Sequence, residues 1–87
     1  MALTANAAAL VLAGDALMAQ GRYGETEDNL RAAIEANPND APAHYALGKC
    51  LGASHDVRGS EHAYRTALQL DPDDPDAGNA LGLMLWR

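Results

Sequence analysis

Two prolines announce a period in this chain. Pro38 and Pro72 lie 34 residues apart, in the related settings Asn37-Pro38-Asn39-Asp40 and Asp71-Pro72-Asp73-Asp74. Setting residues 7–40 against residues 41–74 gives ten identities over 34 positions: Ala7 with Ala41, Ala9 with Ala43, Gly14 with Gly48, Leu17 with Leu51, Ala19 with Ala53, Glu27 with Glu61, Arg31 with Arg65, Ala33 with Ala67, Pro38 with Pro72 and Asp40 with Asp74. A third copy opens at Pro75, where Ala77, Ala80, Leu81, Gly82 and Leu85 answer Ala43, Ala46, Leu47, Gly48 and Leu51. A unit this short cannot bury its own apolar side, so successive units must stack and share one continuous core. The 87 residues are therefore read as a single domain, with repeat one at 7–40, repeat two at 41–74 and a partial third repeat at 75–87.

Within each unit the apolar residues recur at spacings of three and four, as in Leu10, Ala13, Gly14 and Leu17 and again in Leu30, Ala33 and Ile34. That is a helical period, and no alternating strand pattern competes with it. Asn6, Asp40 and Asp74 stand at one phase of the repeat, where a short polar side chain can accept from the unpaired N–H groups of a helix start. Pro75 suits the first helical position, where its missing N–H costs nothing. Gly21 and Ser54-His55-Asp56 divide each unit in two, and Pro38 and Pro72 close the second half. The spacing predicts helices near 6–20, 23–36, 41–54, 57–70 and 75–86, an all-α chain.

A 34-residue helix-turn-helix unit with this arrangement of small and large positions resembles the tetratricopeptide repeat (TPR). Counted from Ala41, repeat two carries Leu47-Gly48 at the seventh and eighth positions and Leu51 at the eleventh. Ser60 follows at the twentieth, Tyr64 at the twenty-fourth, Ala67 at the twenty-seventh and Pro72 at the thirty-second. Repeat one holds Ala13, Gly14, Leu17, Thr26, Leu30, Ala33 and Pro38 at those places, and the tryptophan frequent at the fourth position is replaced by Leu10 and His44. The resemblance implies an α-α superhelix, a right-handed solenoid of five antiparallel-packed helices. Small side chains at Gly48, Ala33, Ala67 and Ser60 would let helices approach while Leu30, Leu51 and Tyr64 fill the gaps.

Charge and chemistry narrow the function. Six basic residues against twelve acidic ones give a net charge of −6, and Lys49 is the only lysine. Nucleic acid is not an expected partner of such a surface, because that affinity comes from clustered cations meeting phosphates. The longest uncharged apolar run, Ala7 to Ala13, falls far short of the roughly 20 residues of a membrane span. No membrane partner is expected. The first basic residue, Arg22, follows that run instead of preceding it, against the order of a secretory signal, and the expected location is cytoplasmic. Cys50 is the single cysteine, so no internal disulfide can form. His44, Cys50, His55 and His62 do not have the spacing of metal ligands. The acidic stretch Asp71 to Asp76 lacks the glycine and distal glutamate of a calcium loop, and reads as a helix stop, a turn and the next cap. No nucleophile has a base in register. The chain is expected to be non-catalytic and to hold no cofactor.

The resemblance places the first helix of each unit on a concave groove, lined here by Val11, Asp15 and Met18, then Tyr45, Lys49 and Gly52, then Asn79, Leu83 and Trp86. A carboxylate clamp of the kind some TPR proteins use is not expected, because its positions hold Val11, Asp15, Ala46, Asp76 and Ala80. Asp15 and Lys49 are candidates to pair across adjacent helices. The expected function is protein-protein interaction, with a peptide or protein segment bound in that groove or on the last helix. Repeat units bury their faces only against neighbours. Leu81, Met84 and Leu85 are accordingly expected to want a cover, supplied by further chain or by a second copy in a homodimer. Two alternatives stay open: a TPR arm of a larger transferase-type enzyme, and a homo-oligomerising structural segment.

Overall fold

The computed structural model describes residues 16–86. They form four complete helices, α1 (Tyr23–Ala36), α2 (Ala41–Ala53), α3 (Val57–Leu70) and α4 (Pro75–Leu85), preceded by helical residues 16–19. Most of the expected helix at 6–20, with Asn6, lies outside the described residues. The other four agree with the sequence reading, α2 and α4 each ending one residue earlier than expected. The helices are joined by short turns and pack antiparallel as an α-α superhelix.

The turns repeat as faithfully as the helices. Asp40 and Asp74 cap α2 and α4, their carboxylates accepting from Ala43 N–H at 3.4 Å and Asp76 N–H at 3.0 Å. The turn between units closes the same way twice, with Asp40 N–H donating to Asn37 O and Asp74 N–H to Asp71 O, both at 3.2 Å. Inside each unit the first helix ends in a residue at positive φ, Gly21 at 76° and His55 at 69°. Gly21 and Arg22 N–H reach back to Met18 O and Leu17 O at 2.9 and 3.0 Å, and His55 and Asp56 N–H reach Gly52 O and Leu51 O at 3.1 and 2.8 Å. This paired pattern satisfies carbonyls that a helix end leaves orphaned. Asp56, read from sequence only as part of a break, is also the N-cap of α3, accepting from Gly59 N–H at 3.0 Å. Arg22 at the corresponding place before α1 makes no side-chain cap.

The core lies where α1, α2 and α3 meet. Leu30, Ala46, Leu47, Cys50, Leu51 and Ala63 form one buried cluster, with Met18, Tyr23 and Ile34 packed against it. Ala33, Ala43, Ala67 and Ala77 are wholly buried, so the alanines conserved between units mark the close contacts. The tightest contact is at Gly48. A Cβ there would sit 2.5 Å from Tyr64 Cε1, and the Ser60 hydroxyl donates to Gly48 O at 2.7 Å from the same helix. The twentieth and twenty-fourth positions of repeat two thus both close on its eighth. Thr26, the counterpart of Ser60, bonds instead within its own segment, to Arg22 O at 2.8 Å. Outside, Glu27–Arg31 and Glu61–Arg65 pair across one turn at 2.8 and 2.9 Å, each contributing roughly 0.3–0.5 kcal/mol before salt screening.

Candidate functional site

Position along a helix determines which of the expected groove residues share a face. Tyr45 and Lys49 are four apart on α2, and Lys49 Nζ lies 5.1 Å from the Tyr45 ring centroid, a cation–π contact. The Tyr45 ring stands 5.8 Å from that of Tyr64 at a 42° tilt. Lys49 thus rests on a ring, that ring on a second, and the second on Gly48 in the core. Burial pushes the Tyr64 phenol above its ordinary value, the neighbouring Ser60 hydroxyl partly offsets this, and Tyr45 adds to the rise.

On α4, Asn79, Leu83 and Trp86 fall on one face and, with Gly78 and Gly82, line a wide, shallow depression of about 580 Å³. Leu83 is 76% exposed and Trp86 87% exposed. Met18 is half-buried against the core cluster. Val11 and Asp15, with the expected Asp15–Lys49 pair, lie outside the described residues.

The three residues expected to need a cover on the last helix do not form one surface. Leu85 is 53% exposed. Leu81 is half-buried and shares a cleft with Arg65, Leu68 and Gln69 of α3, while Met84 shares another with Gly52, His55 and Val57. The reason is the period itself: Met84 stands where Cys50 stands one unit earlier, and that place faces the preceding unit. The outward side of α4 carries Gly78 and Gly82 instead, where an added Cβ would meet nothing within 4 Å.

Cys50 is fully buried, its thiol donates to Tyr23 O at 3.3 Å, and burial raises it above its ordinary value, with Glu27 adding and Arg31 offsetting. A buried thiol of that kind is a poor nucleophile. His44 and His62 line a cleft of about 200 Å³ with Arg31, over a floor of Ile34, Leu47, Leu51 and Ala63. His44 Nε2 lies 3.0 Å from Pro38 O, an oxygen that only accepts, so this nitrogen carries the proton. Among the described residues no three His, Cys, Asp or Glu are grouped to hold a metal ion, and no helix is long and apolar enough to cross a membrane.

Stacked helical pairs at a 34-residue period, with small residues at the contacts and side chains presented on the first helix of each unit, define a helical-repeat protein. A tetratricopeptide repeat profile matches residues 17–83, and the chain belongs to that family. Among solved structures it is similar to the first TPR domain of Spaghetti (RPAP3), solved bound to the HSP90 peptide SRMEEVD, with a TM-score of 0.88 over 93% of this chain at 18% identity. The chain spans 64% of that neighbour's length. No match was found among curated proteins.

The Lys49–Tyr45 contact has a sequence signal in its four-residue spacing. The depression around Gly78 and Gly82 has a weaker one, since glycine in a helix marks either close packing or open space, and only the neighbouring helices decide which.

Proposed function

We propose that this chain is a non-catalytic protein-interaction module that holds a peptide segment across α2 and α4, on Tyr45, Lys49, Asn79, Leu83 and Trp86. The observation that carries this reading is the exposure of Leu83 and Trp86 beside Gly78 and Gly82, a large apolar surface with room above it. Surfaces of this kind mark binding sites, and tryptophan is prominent among residues that dominate binding energy. The structural neighbour was solved with a peptide, which supports a peptide as the kind of ligand. The test is selection of peptides from a random display library, followed by titration of the winners against Leu83→Ala/Trp86→Ala. Affinity is expected to fall at least tenfold; full affinity in the double variant would move the site to another face.

A second reading, self-association, is favoured by Leu85 on the outward side of the same helix. It predicts sedimentation coefficients that rise with protein concentration and a return to monomer in Leu85→Asp.

A further inference from the structure

We propose that the depression on α4 seats an amphipathic helix of a partner protein, antiparallel to α4. That helix carries an aromatic side chain on Gly82, alanine or glycine four residues before the aromatic, and a basic last turn. The proposal rests on the α4 half of the reading above and makes the bound segment there helical. The molecule holds its own template for such a helix. The lining residues Gly78, Asn79, Gly82, Leu83 and Trp86 stand one unit after His44, Tyr45, Gly48, Lys49 and Gly52. Four of those five meet α3. His44 shares a cleft with Gly59 and His62, and the Tyr45 ring stands 5.8 Å from that of Tyr64. Gly48 lies under the Tyr64 ring and accepts from the Ser60 hydroxyl at 2.7 Å, while a Cβ at Gly52 would stand 3.2 Å from Ser60 Oγ. The depression therefore sits at the phases that an antiparallel helix covers one unit earlier. Exposure follows the same rule: Leu51, in the core with Ala63 of α3, is 4% exposed, and Leu85 at the same phase is 53% exposed.

The chemistry of the occupant follows from what the two units share and where they differ. On α3 an aromatic and a small residue four apart, Tyr64 and Ser60, close on the two glycines of α2, because side chains at that spacing share a helix face. Gly82 repeats the first glycine, so an aromatic ring fits there. Trp86 replaces the second, Gly52, so the residue meeting it must be smaller than serine. None of the five lining residues is ionisable. A charge on the seated face would be buried without a partner, so that face must be neutral. Asp74 and Asp76 begin α4, beside the last turn of an antiparallel occupant. Lys or Arg in that turn meets these carboxylates and complements the occupant's own helix dipole. A second folded copy cannot lend its α3, whose Tyr64 is already seated on its own Gly48.

The probe is a synthetic peptide of the α3 sequence, Val57–Leu70, carrying Ser60→Ala and Gln69→Lys. It has no tryptophan, so Trp86, the only one in the chain and 87% exposed, reports its binding. Titration into the whole chain is expected to move Trp86 emission to shorter wavelength as the indole leaves water. Helical circular dichroism should rise above the sum of the separate components, since a free helix of 14 residues is marginal in water. Gly82→Ala, which favours the free helix, should weaken binding at least tenfold. Gly78→Ala should weaken it less, because His44 holds a side chain at that phase beside α3. Tyr64→Ala in the peptide should abolish the emission shift. Gln69→Glu in place of Gln69→Lys should weaken binding by a factor that shrinks at high salt. Failure of the probe to bind, equal losses at Gly78 and Gly82, or equal affinity for the lysine and glutamate peptides would overturn this proposal. If library-selected peptides still need Leu83 and Trp86, the groove reading then stands; if they are indifferent to both, it falls as well. An emission shift driven by the chain's own concentration, with no peptide added, would put a second copy on α4 and likewise overturn the proposal.

Discussion

Gly48 and Gly82 are the same residue at the same place in two successive units, and they should respond to the same substitution with opposite signs. At Gly48 an added methyl collides with the Tyr64 ring, and displacing a buried ring costs about 1–3 kcal/mol. At Gly82 nothing lies within 4 Å, and replacing an exposed helical glycine by alanine stabilises by about 0.5–1 kcal/mol. Urea denaturation of Gly48→Ala and Gly82→Ala measures both; equal effects would mean that the contact between α2 and α3 is wrongly placed. Tyr64 supplies a second test at this scale. Its folded-state value is raised above the ordinary 10.0, so the folded chain favours the neutral phenol. The stability this contributes is whole below about pH 10 and is lost as pH climbs through the raised value, because the unfolded chain ionises first. The stability difference between wild type and Tyr64→Phe should accordingly hold steady up to about pH 10 and shrink as pH rises beyond it. A difference that stays constant would mean the phenol is not buried in the fold.

Each helix is bounded by local chemistry that could be read in advance in some places and not in others. Asp40 and Asp74 were legible as caps because they share a repeat phase and precede a helical pattern. Asp56 was hidden because the corresponding residue of repeat one is Arg22, which cannot accept a hydrogen bond. The end of α2 carries an imperfection that repeat one lacks, since His55 occupies the left-handed conformation that Gly21 fills there. A side chain in that conformation is strained against the following carbonyl, so His55→Gly should raise stability by about 0.5–1 kcal/mol. Gly21→His should lower it by a similar amount. Thermal melts of the two variants check the pair, and shifts of the same sign would count against the repeated turn geometry.

Among the described helices, burial is greatest on α2 and least on α4. Seven residues of α2 are buried, against Ala77 alone on α4. Local opening follows buried apolar contact, so amide hydrogen exchange should be slowest in α2 and α3 and fastest, among the four helices, in α4. Binding of a peptide across α2 and α4 should slow exchange in α4 most, since bound ligand stabilises whatever it requires to be folded. A uniform exchange rate through all four helices would instead indicate that the chain opens as one unit.

The repeat period, the helix positions, the small residues at the contacts and two of the three aspartate caps were determined by the order of residues alone. Periodicity and capping act over three to four neighbours or recur at a fixed offset, and both are visible along a line. Which way Leu81 and Met84 turn, that Gly48 lies under a ring while Gly82 lies open, and that Lys49 stands on a stack of two tyrosines were decided by tertiary structure. Identical residues at equivalent positions differ there only in whether another helix arrives to cover them, and that depends on parts of the chain far away in sequence.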